Sequence, residues 1–220
     1  MAETADSSSS GPRKRLDRER ILEAAINFAD AHGVEAMTMR KVAQEMNCGV
    51  MSLYNHVANK EELLTDMLDA VVGKADLPRF EGDWKVSMRL SAQSANAVLL
   101  KHQWAVGEWN LRMPGPNRTR YMDSILELLT IAGLGRTVVY RGYHAITMHI
   151  VGFSQQQVGY QKMLGSEFKE TVEGFLSGLG ENYPYLADHV QAHLDETDDC
   201  DEFLFVLDLI LDGLDRATCD

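Results

Sequence analysis

The chain has 220 residues, is 45% hydrophobic and carries a net charge of −12 at pH 7. This is enough apolar sequence for a sizeable core in one or two domains, but no apolar run approaches the roughly 20 residues of a membrane helix. The N-terminus lacks the apolar segment of a signal peptide, and Cys48, Cys200 and Cys219 are too far apart for a disulfide framework or a zinc cluster. We therefore expect a soluble cytoplasmic protein without a metal or cofactor.

The negative charge is unevenly distributed along the chain. Residues 1–60 carry eight Lys/Arg and eight Asp/Glu, whereas residues 61–220 carry 13 and 25. We expect residues 1–16 to form a disordered basic arm, because a polar, Ser-rich start is followed by Arg13, Lys14 and Arg15. This arm either contacts DNA phosphates or a minor groove, or is only a solubilising tail, and the sequence leaves both alternatives open.

A helix-turn-helix is predicted in the first third of the chain. Apolar residues recur at helical spacing over residues 18–32, and Gly33 is a typical helix end. Residues 38–60 then predict two short helices joined by a tight turn at Asn47, which tolerates the left-handed conformation, with Thr38 as the cap of the first. This spacing places residues 50–56 on the helix that enters a DNA major groove.

The same stretch resembles a known family. The runs TMRKVAQEM and MSLYNHVANKEELL are similar to the DNA-binding region of the TetR (tetracycline-repressor) family of transcriptional regulators, and LY-x-H-V-x-NK-x-x-LL is the most specific part. The pieces GDW, LLKHQWAVG, AGL and IVGF resemble the C-terminal domain common to tetracycline-repressor-like members. The resemblance implies an all-α chain, with a three-helix DNA-binding domain followed by a helical bundle for ligand binding and dimerisation.

Candidate DNA contacts follow from the side chains of the second short helix. Apolar contacts from Val50 or Met51 and hydrogen bonds from Ser52 or Asn55 suit base edges, and Arg40 is able to fork onto a guanine. The resemblance also places a base contact at Arg40 and phosphate contacts at Tyr54, His56 and Lys60. The predicted DNA-binding residues are Thr38, Arg40, Gly49, Val50, Met51, Ser52, Tyr54, Asn55, His56 and Lys60.

Three of the predicted DNA-binding residues could instead have a purely structural role. Tyr54 and His56 could merely pack the small domain, and Lys60 could be a surface residue within the helix-capping segment 59–62. The chain also departs from the family, which usually has Gly where Asn47 stands and often has a polar residue where Val50 stands. The second departure means that the DNA sequence read by the family cannot be carried over.

The rest of the chain is predicted to be helical. A linking helix over residues 60–73 is followed by GKADLPRFEG, in which a proline and two glycines mark a boundary. We therefore predict a DNA-binding domain over residues 17–73 and an effector-binding and dimerisation domain over residues 82–220. Further helices are predicted at residues 84–102, 104–111, 118–132, 137–164, 167–179 and 202–216, with only a short turn before the last.

Large aromatic and sulfur-containing residues lie on helices that we expect to converge. They predict an apolar pocket for a drug-like or metabolite ligand, with His144, Tyr121 and Gln155 as polar anchors. The alternative is that these residues are simply core. The predicted lining comprises Met88, Trp104, Trp109, Met113, Tyr121, Met122, His144 and Met148.

The last helix carries an apolar stripe that predicts a dimer interface. Together with the long helix around residues 144–160, it would form half of an intermolecular four-helix bundle, as the resemblance implies. Burial of the stripe within the monomer is the alternative. The predicted interface residues are Phe203, Leu207, Ile210 and Leu214.

These observations predict a ligand-responsive repressor and not an enzyme. A homodimer would bind a palindromic DNA operator and be released by a small-molecule effector. An alternative is an all-helical small-molecule-binding or metal-dependent enzyme with a vestigial helix-turn-helix, which would need catalytic residues such as His144 and His149 close together. A third is a regulator that responds to a protein partner or to its own abundance. His189 and His193 have metal-ligand spacing but lack an HExxH pattern, so no metal site is predicted.

Overall fold

The computed structural model describes residues 16–80, 82–163, 168–179, 182–194 and 201–217. These residues contain helices and no strand, which confirms the all-α prediction. The helices are α1 (Arg18–His32), α2 (Met39–Glu45), α3 (Val50–Tyr54), α4 (Lys60–Val72), α5 (Trp84–Lys101), α6 (Gln103–Glu108), α7 (Pro116–Ile131), α8 (Arg136–Met163), α9 (Phe168–Leu179), α10 (Pro184–Leu194) and α11 (Glu202–Arg216).

Two stretches differ from the predicted helix pattern. α6 ends at Glu108 rather than at Leu111, and the residues that follow it form a turn. α10 is a full helix where only a short turn was expected. Its first residue is Pro184, whose fixed φ suits a helix start, and its apolar residues Leu186, Val190 and Leu194 recur at helical spacing.

The chain forms two compact units, residues 1–67 and residues 68–220. The predicted boundary over residues 73–82 lies beyond this division, which falls within α4. In the first unit α1, α2, α3 and the start of α4 share one core, built from the buried residues Ile21, Ala25, Phe28, Val42, Ala43, Leu53, Leu63 and Met67.

Local signals place the helix ends of the first unit. The Thr38 hydroxyl accepts a bond from the backbone N–H of Lys41 at 3.2 Å and caps α2, as predicted. Asn47 has φ of 51° and makes the turn between α2 and α3. Its short polar side chain lowers the cost of this left-handed conformation. At the start of α4, Asn59 Oδ1 accepts from the N–H of Glu62, and Glu62 Oε2 accepts from the N–H of Ala58.

Arg18 joins α1 to α4 within this unit. Its guanidinium bonds to the carboxylates of Glu62 and Asp66 and to the backbone oxygen of His56. The backbone N–H of Ala58 and the Arg18 guanidinium hold the pKa of Glu62 below its usual value. Arg18 follows shortly after the basic arm, and its charge forms ion pairs within the folded unit.

The second unit is organised around the long helix α8. Helices α5, α6, α7 and α11 all pack against it. The core contains the fully or nearly fully buried residues Met88, Leu99, Ile125, Leu129, Ile146, Ile150 and Leu207. One polar pair lies within this core, where Asn96 Nδ2 donates to the Ser154 hydroxyl at 2.9 Å.

Asp69, on the last turn of α4, caps the N-terminus of α7. Its carboxylate accepts from the backbone N–H groups of Asn117 and Arg118, at 3.1 and 2.9 Å, and from Asn117 Nδ2 at 3.0 Å. A Cβ atom on Gly115 would lie 2.5 Å from Asp69 Cγ, so only glycine admits this approach. A carboxylate at a helix N-terminus is favoured by the orphan N–H groups and by the helix dipole. The buried Asp69 therefore ties α4 to α7.

We expect Asp69→Ala to lower the free energy of unfolding of the second unit by about 2–4 kcal/mol, because it leaves the buried N–H of Arg118 and the part-buried N–H of Asn117 without an acceptor. Urea unfolding followed by circular dichroism measures this loss. Asp83→Ala removes the exposed cap of α5 and is the matched control, with an expected loss of about 1 kcal/mol. Equal losses in the two variants would contradict the role given to Asp69.

Candidate DNA-binding helix and ligand cavity

α3 presents a mixed apolar and polar surface to solvent. Leu53 and Val57 anchor it in the core of the first unit, whereas Met51 is 71% exposed and Tyr54 is 44% exposed. Asn55 is also exposed. This surface offers a thioether, a phenol and an amide, which suit thymine methyls, phosphates and adenine edges respectively.

The remaining predicted DNA-binding residues lie around α3 and α2. Arg40 and Gly49 are exposed, and Val50, Ser52 and His56 are half-buried. Thr38 is exposed, but its hydroxyl already caps α2. The predicted DNA contacts of these residues stay predictions.

Lys60 forms a hydrogen bond within its own unit. Lys60 is half-buried, and its Nζ donates to the backbone oxygen of Val34 at 3.0 Å. An ammonium group has three donors, so this bond is compatible with a phosphate contact. Arg13, Lys14 and Arg15 lie outside the described residues.

The second unit contains a cavity of about 450 Å³ between the end of α6, the start of α7 and one face of α8. This volume is typical of small-molecule sites. Four predicted residues line it, namely Trp109, Met122, His144 and Met148, and so does the predicted polar anchor Gln155. The other residues of the lining are Asn110, Arg118, Tyr143, Thr147, Val151 and Gly152.

The other four predicted ligand residues do not line this cavity. Met88, Trp104 and Tyr121 are buried in the core, as the alternative interpretation had it, and Met113 is 81% exposed. The Tyr121 hydroxyl lies 3.5 Å from Ser91 Oγ, and burial raises the pKa of Tyr121 to about 12. Met88, Trp104 and Tyr121 therefore fit the core alternative, and the ligand contacts of these four residues stay predictions without support from this cavity.

The residues that sequence reasoning missed fall into two groups. Thr147 and Val151 follow Tyr143 at intervals of four, the spacing of one helix face, so the periodicity of α8 could have found them once His144 and Met148 were chosen. Arg118 carried no such signal, because arginine is almost never fully buried and was assigned to a helix start.

Arg118 is the cation of the cavity wall. It is only 8% exposed, and its guanidinium carbon lies 4.4 Å from the centroid of the Trp109 ring. Its Nη1 donates to the backbone oxygen of Arg112 at 3.0 Å, whereas its buried Nε finds no acceptor among the described residues. Burial lowers the pKa of Arg118 and raises that of the neighbouring Tyr143. Both shifts reflect the cost of placing charge in a poorly solvated site.

The predicted dimer stripe on α11 lies largely inside the unit, and this prediction is corrected. Phe203 and Leu207 are buried, and Ile210 and Leu214 are half-buried. The Leu214 side chain lies so close to α8 that a Cβ on Gly142 would come within 2.9 Å of it. The stripe faces α8 and α5 because these helices supply its apolar partners. The outward apolar residues of α11 are instead Phe205, Val206 and Leu209, all exposed.

The structure also bears on the enzyme alternative. His144 lines the cavity, whereas His149 does not; its Nε2 lies 2.9 Å from the backbone oxygen of Phe203, and its ring stacks on that residue. Over the part of the chain that is described, no group of three or more His, Cys, Asp or Glu side chains is arranged to hold a metal ion. Within the same residues no helix has the length and apolar character needed to cross a membrane.

Comparisons with known proteins identify the family of the chain. Residues 21–67 match the family "Bacterial regulatory proteins, tetR family", and residues 77–218 match "Tetracyclin repressor-like, C-terminal domain". The chain is 33% identical to the HTH-type transcriptional repressor DrrR1 of Streptomyces coeruleorubidus, over 94% of this chain and 80% of that protein. It is 30% identical to an HTH-type transcriptional regulator of Saccharopolyspora erythraea, over 82% of this chain and 80% of the relative.

A solved structure shows the same architecture. The TetR family protein ActR of Streptomyces coelicolor, in complex with actinorhodin, superimposes with a TM-score of 0.77. It is 28% identical, over 91% of this chain and 97% of ActR. The two family matches together span most of the chain and follow the order of the helix-turn-helix and the helical bundle. The chain therefore belongs to the tetR family of bacterial regulatory proteins, which are DNA-binding regulators of transcription.

Proposed function

We propose that the protein is a cytoplasmic repressor that binds a palindromic operator as a homodimer and releases it when a small molecule fills the cavity of the second unit. The observation that carries this proposal is the exposed surface of α3, where Met51, Tyr54 and Asn55 project from a helix anchored by Leu53. These side chains offer an apolar contact, a phenol and an amide at the position of the helix that a helix-turn-helix places in the major groove, and this combination supports a DNA-binding role.

The dimer is proposed to form through α8 and α11. Phe205, Val206 and Leu209 leave a row of apolar side chains on the outer face of α11, and Tyr160 is exposed near the end of α8. Two copies of these helices would bury these side chains in a four-helix bundle. A two-fold dimer would then present two α3 helices to two half-sites.

The signal is proposed to pass through the start of α7. Arg118 lines the cavity, and its own backbone N–H is bound by Asp69 of α4. A ligand that moves Arg118 would therefore act on the cap and, through it, on α4, which continues without a break into the DNA-binding unit. The change in operator affinity would equal the ligand's differential affinity for the two states.

The experiment that tests the proposal is in-vitro selection of binding sites from a random DNA pool at near-physiological salt, because phosphate contacts depend steeply on salt. We expect one inverted repeat to be enriched, with half-sites spaced by about one helical turn. A pool without an enriched motif would contradict operator binding. Enrichment of a single half-site would contradict the dimer while supporting the role of α3.

A further inference from the structure

We propose that the cavity takes a planar aromatic molecule with a negatively charged oxygen, and that Arg118 pairs with that oxygen. This inference rests on the proposed function in one respect, namely that the cavity is the effector site. It adds the chemical class of the effector and the residue that selects it.

The charge of the cavity wall is the first argument. Among the lining residues Arg118 is a cation and none is Asp or Glu. The chain as a whole has 33 acidic and 21 basic residues, so the cavity lining differs from the rest of the chain in having no acidic residue. A site of this kind favours an anion over a cation, because the nearest fixed charge is positive and poorly screened.

The incomplete bonding of Arg118 is the second argument. A guanidinium has five N–H donors in one plane, and a buried one normally finds a carboxylate or several carbonyl oxygens. Here Nη1 reaches the Arg112 carbonyl, and Nε has no acceptor within the described part of the chain. Leaving a buried charged donor unsatisfied costs free energy that a ligand acceptor would recover once the side chain turns towards it.

Neighbouring carboxylates do not neutralise this cation by direct pairing. Asp69 contributes an attractive charge, but its oxygens accept the backbone N–H groups of Asn117 and Arg118. Glu108 instead forms an ion pair with Arg112 at 2.7 Å. Over the described residues no carboxylate lies within ion-pair distance of the Arg118 guanidinium, and the counter-charge is left to the ligand.

The residues that line the cavity favour a ligand with aromatic rings. The indole of Trp109 and the ring of Tyr143 supply aromatic surfaces, and Met122 and Met148 supply polarizable thioethers. The lining of α8 extends from Tyr143 to Gln155, a span of about 18 Å at the rise of an α-helix. Thr147, Asn110 and Gln155 add hydrogen-bonding groups for neutral oxygens of the ligand.

The test compares two probes that differ only in charge, anthraquinone-2-carboxylate and anthraquinone-2-carboxamide, on the full chain. Isothermal titration calorimetry at pH 7.5 measures both dissociation constants. We expect the carboxylate to bind at least about tenfold more tightly, as a charge-assisted hydrogen bond implies. In Arg118→Gln this preference should fall to near unity, mainly through weaker binding of the carboxylate.

Arg136→Gln is the matched control. Arg136 also stacks on an aromatic ring, that of Tyr140, but it is exposed and does not line the cavity. It removes the same charge from the same unit and should keep the preference for the carboxylate. Circular dichroism and the midpoint of urea unfolding of Arg118→Gln check that the variant is folded.

Three results would overturn the inference: equal affinity for the two probes in the unchanged protein, a preference that survives Arg118→Gln, or no binding of either probe at millimolar concentration. Failure of the proposed function is seen separately, as the absence of an operator motif in the selection experiment. If the protein selects an operator but prefers the carboxamide, the proposed function stands and the proposed class of effector is wrong.

Discussion

Replacing Met51 by Glu should weaken specific operator binding by about 100-fold or more. Met51 is 71% exposed on α3, so the substitution should leave the free energy of unfolding within about 0.5 kcal/mol of its original value. On DNA the new carboxylate would lie in the negative potential of the major groove and would replace an apolar contact with a thymine methyl. The proposed two-fold dimer would bring two such charges to one operator, and the losses would combine.

Fluorescence anisotropy on the selected operator, at fixed salt, measures this effect. Met113→Glu is the matched control, since it introduces the same charge at a residue that is 81% exposed in the second unit. Its operator affinity should change by less than about threefold, because a single exposed charge at a distance is largely screened. If Met51→Glu binds the operator as tightly as this control, α3 is not the reading helix.

The helix-turn-helix could be predicted well because its signals are local. Thr38 caps α2 through its own hydroxyl, and Asn47 makes the turn with φ of 51°. Each signal depends on residues within four positions, so the unaided sequence contains it. α10 also carried local signals, namely Pro184 at its first position and Leu186, Val190 and Leu194 at intervals of four, and the prediction of a short turn there did not use them.

The cavity could be predicted only in part because its wall depends on packing. His144 and Met148 share a face of α8 that local spacing reveals, and both line the cavity. Met88 and Tyr121 are side chains of the same apolar and aromatic kind, but they face the core. Their orientation depends on how α5 and α7 pack on α8. Arg118 was missed because its burial follows from the Asp69 cap, a contact 49 residues away in sequence.

α11 shows a further limit of sequence reasoning. Its apolar residues cover two faces, and periodicity does not state which face packs within the chain and which meets a partner. Phe203 and Leu207 are buried on the face of α11 that packs against α8 and α5, whereas Phe205 and Leu209 are exposed on the other face. The four residues of the predicted interface form a stripe that is largely buried within the unit, and the outer face of α11 remains a proposal.

Leu209→Glu should therefore convert the proposed dimer to a monomer and remove specific operator binding with it. Leu209 is 56% exposed in the single chain, and the proposed bundle would bury it in both copies. Losing about 2 kcal/mol of apolar burial in each copy predicts a dimer dissociation constant about 10³-fold higher. The desolvation of two carboxylates, in a chain that already carries a charge of −12, acts in the same direction.

Sedimentation equilibrium of the two proteins measures the dissociation constant, and anisotropy on the full inverted repeat measures the loss of binding. Leu90→Glu makes the same change at an exposed residue of α5 and should leave the dimer and operator binding intact. Folding of the monomer is checked by circular dichroism, because Leu209 contributes little to the core of the single chain. If Leu209→Glu remains a dimer, the outer face of α11 is not the interface. If it becomes a monomer that still binds the inverted repeat with unchanged affinity, the two half-sites are read independently, and two-fold symmetry makes no contribution to operator recognition.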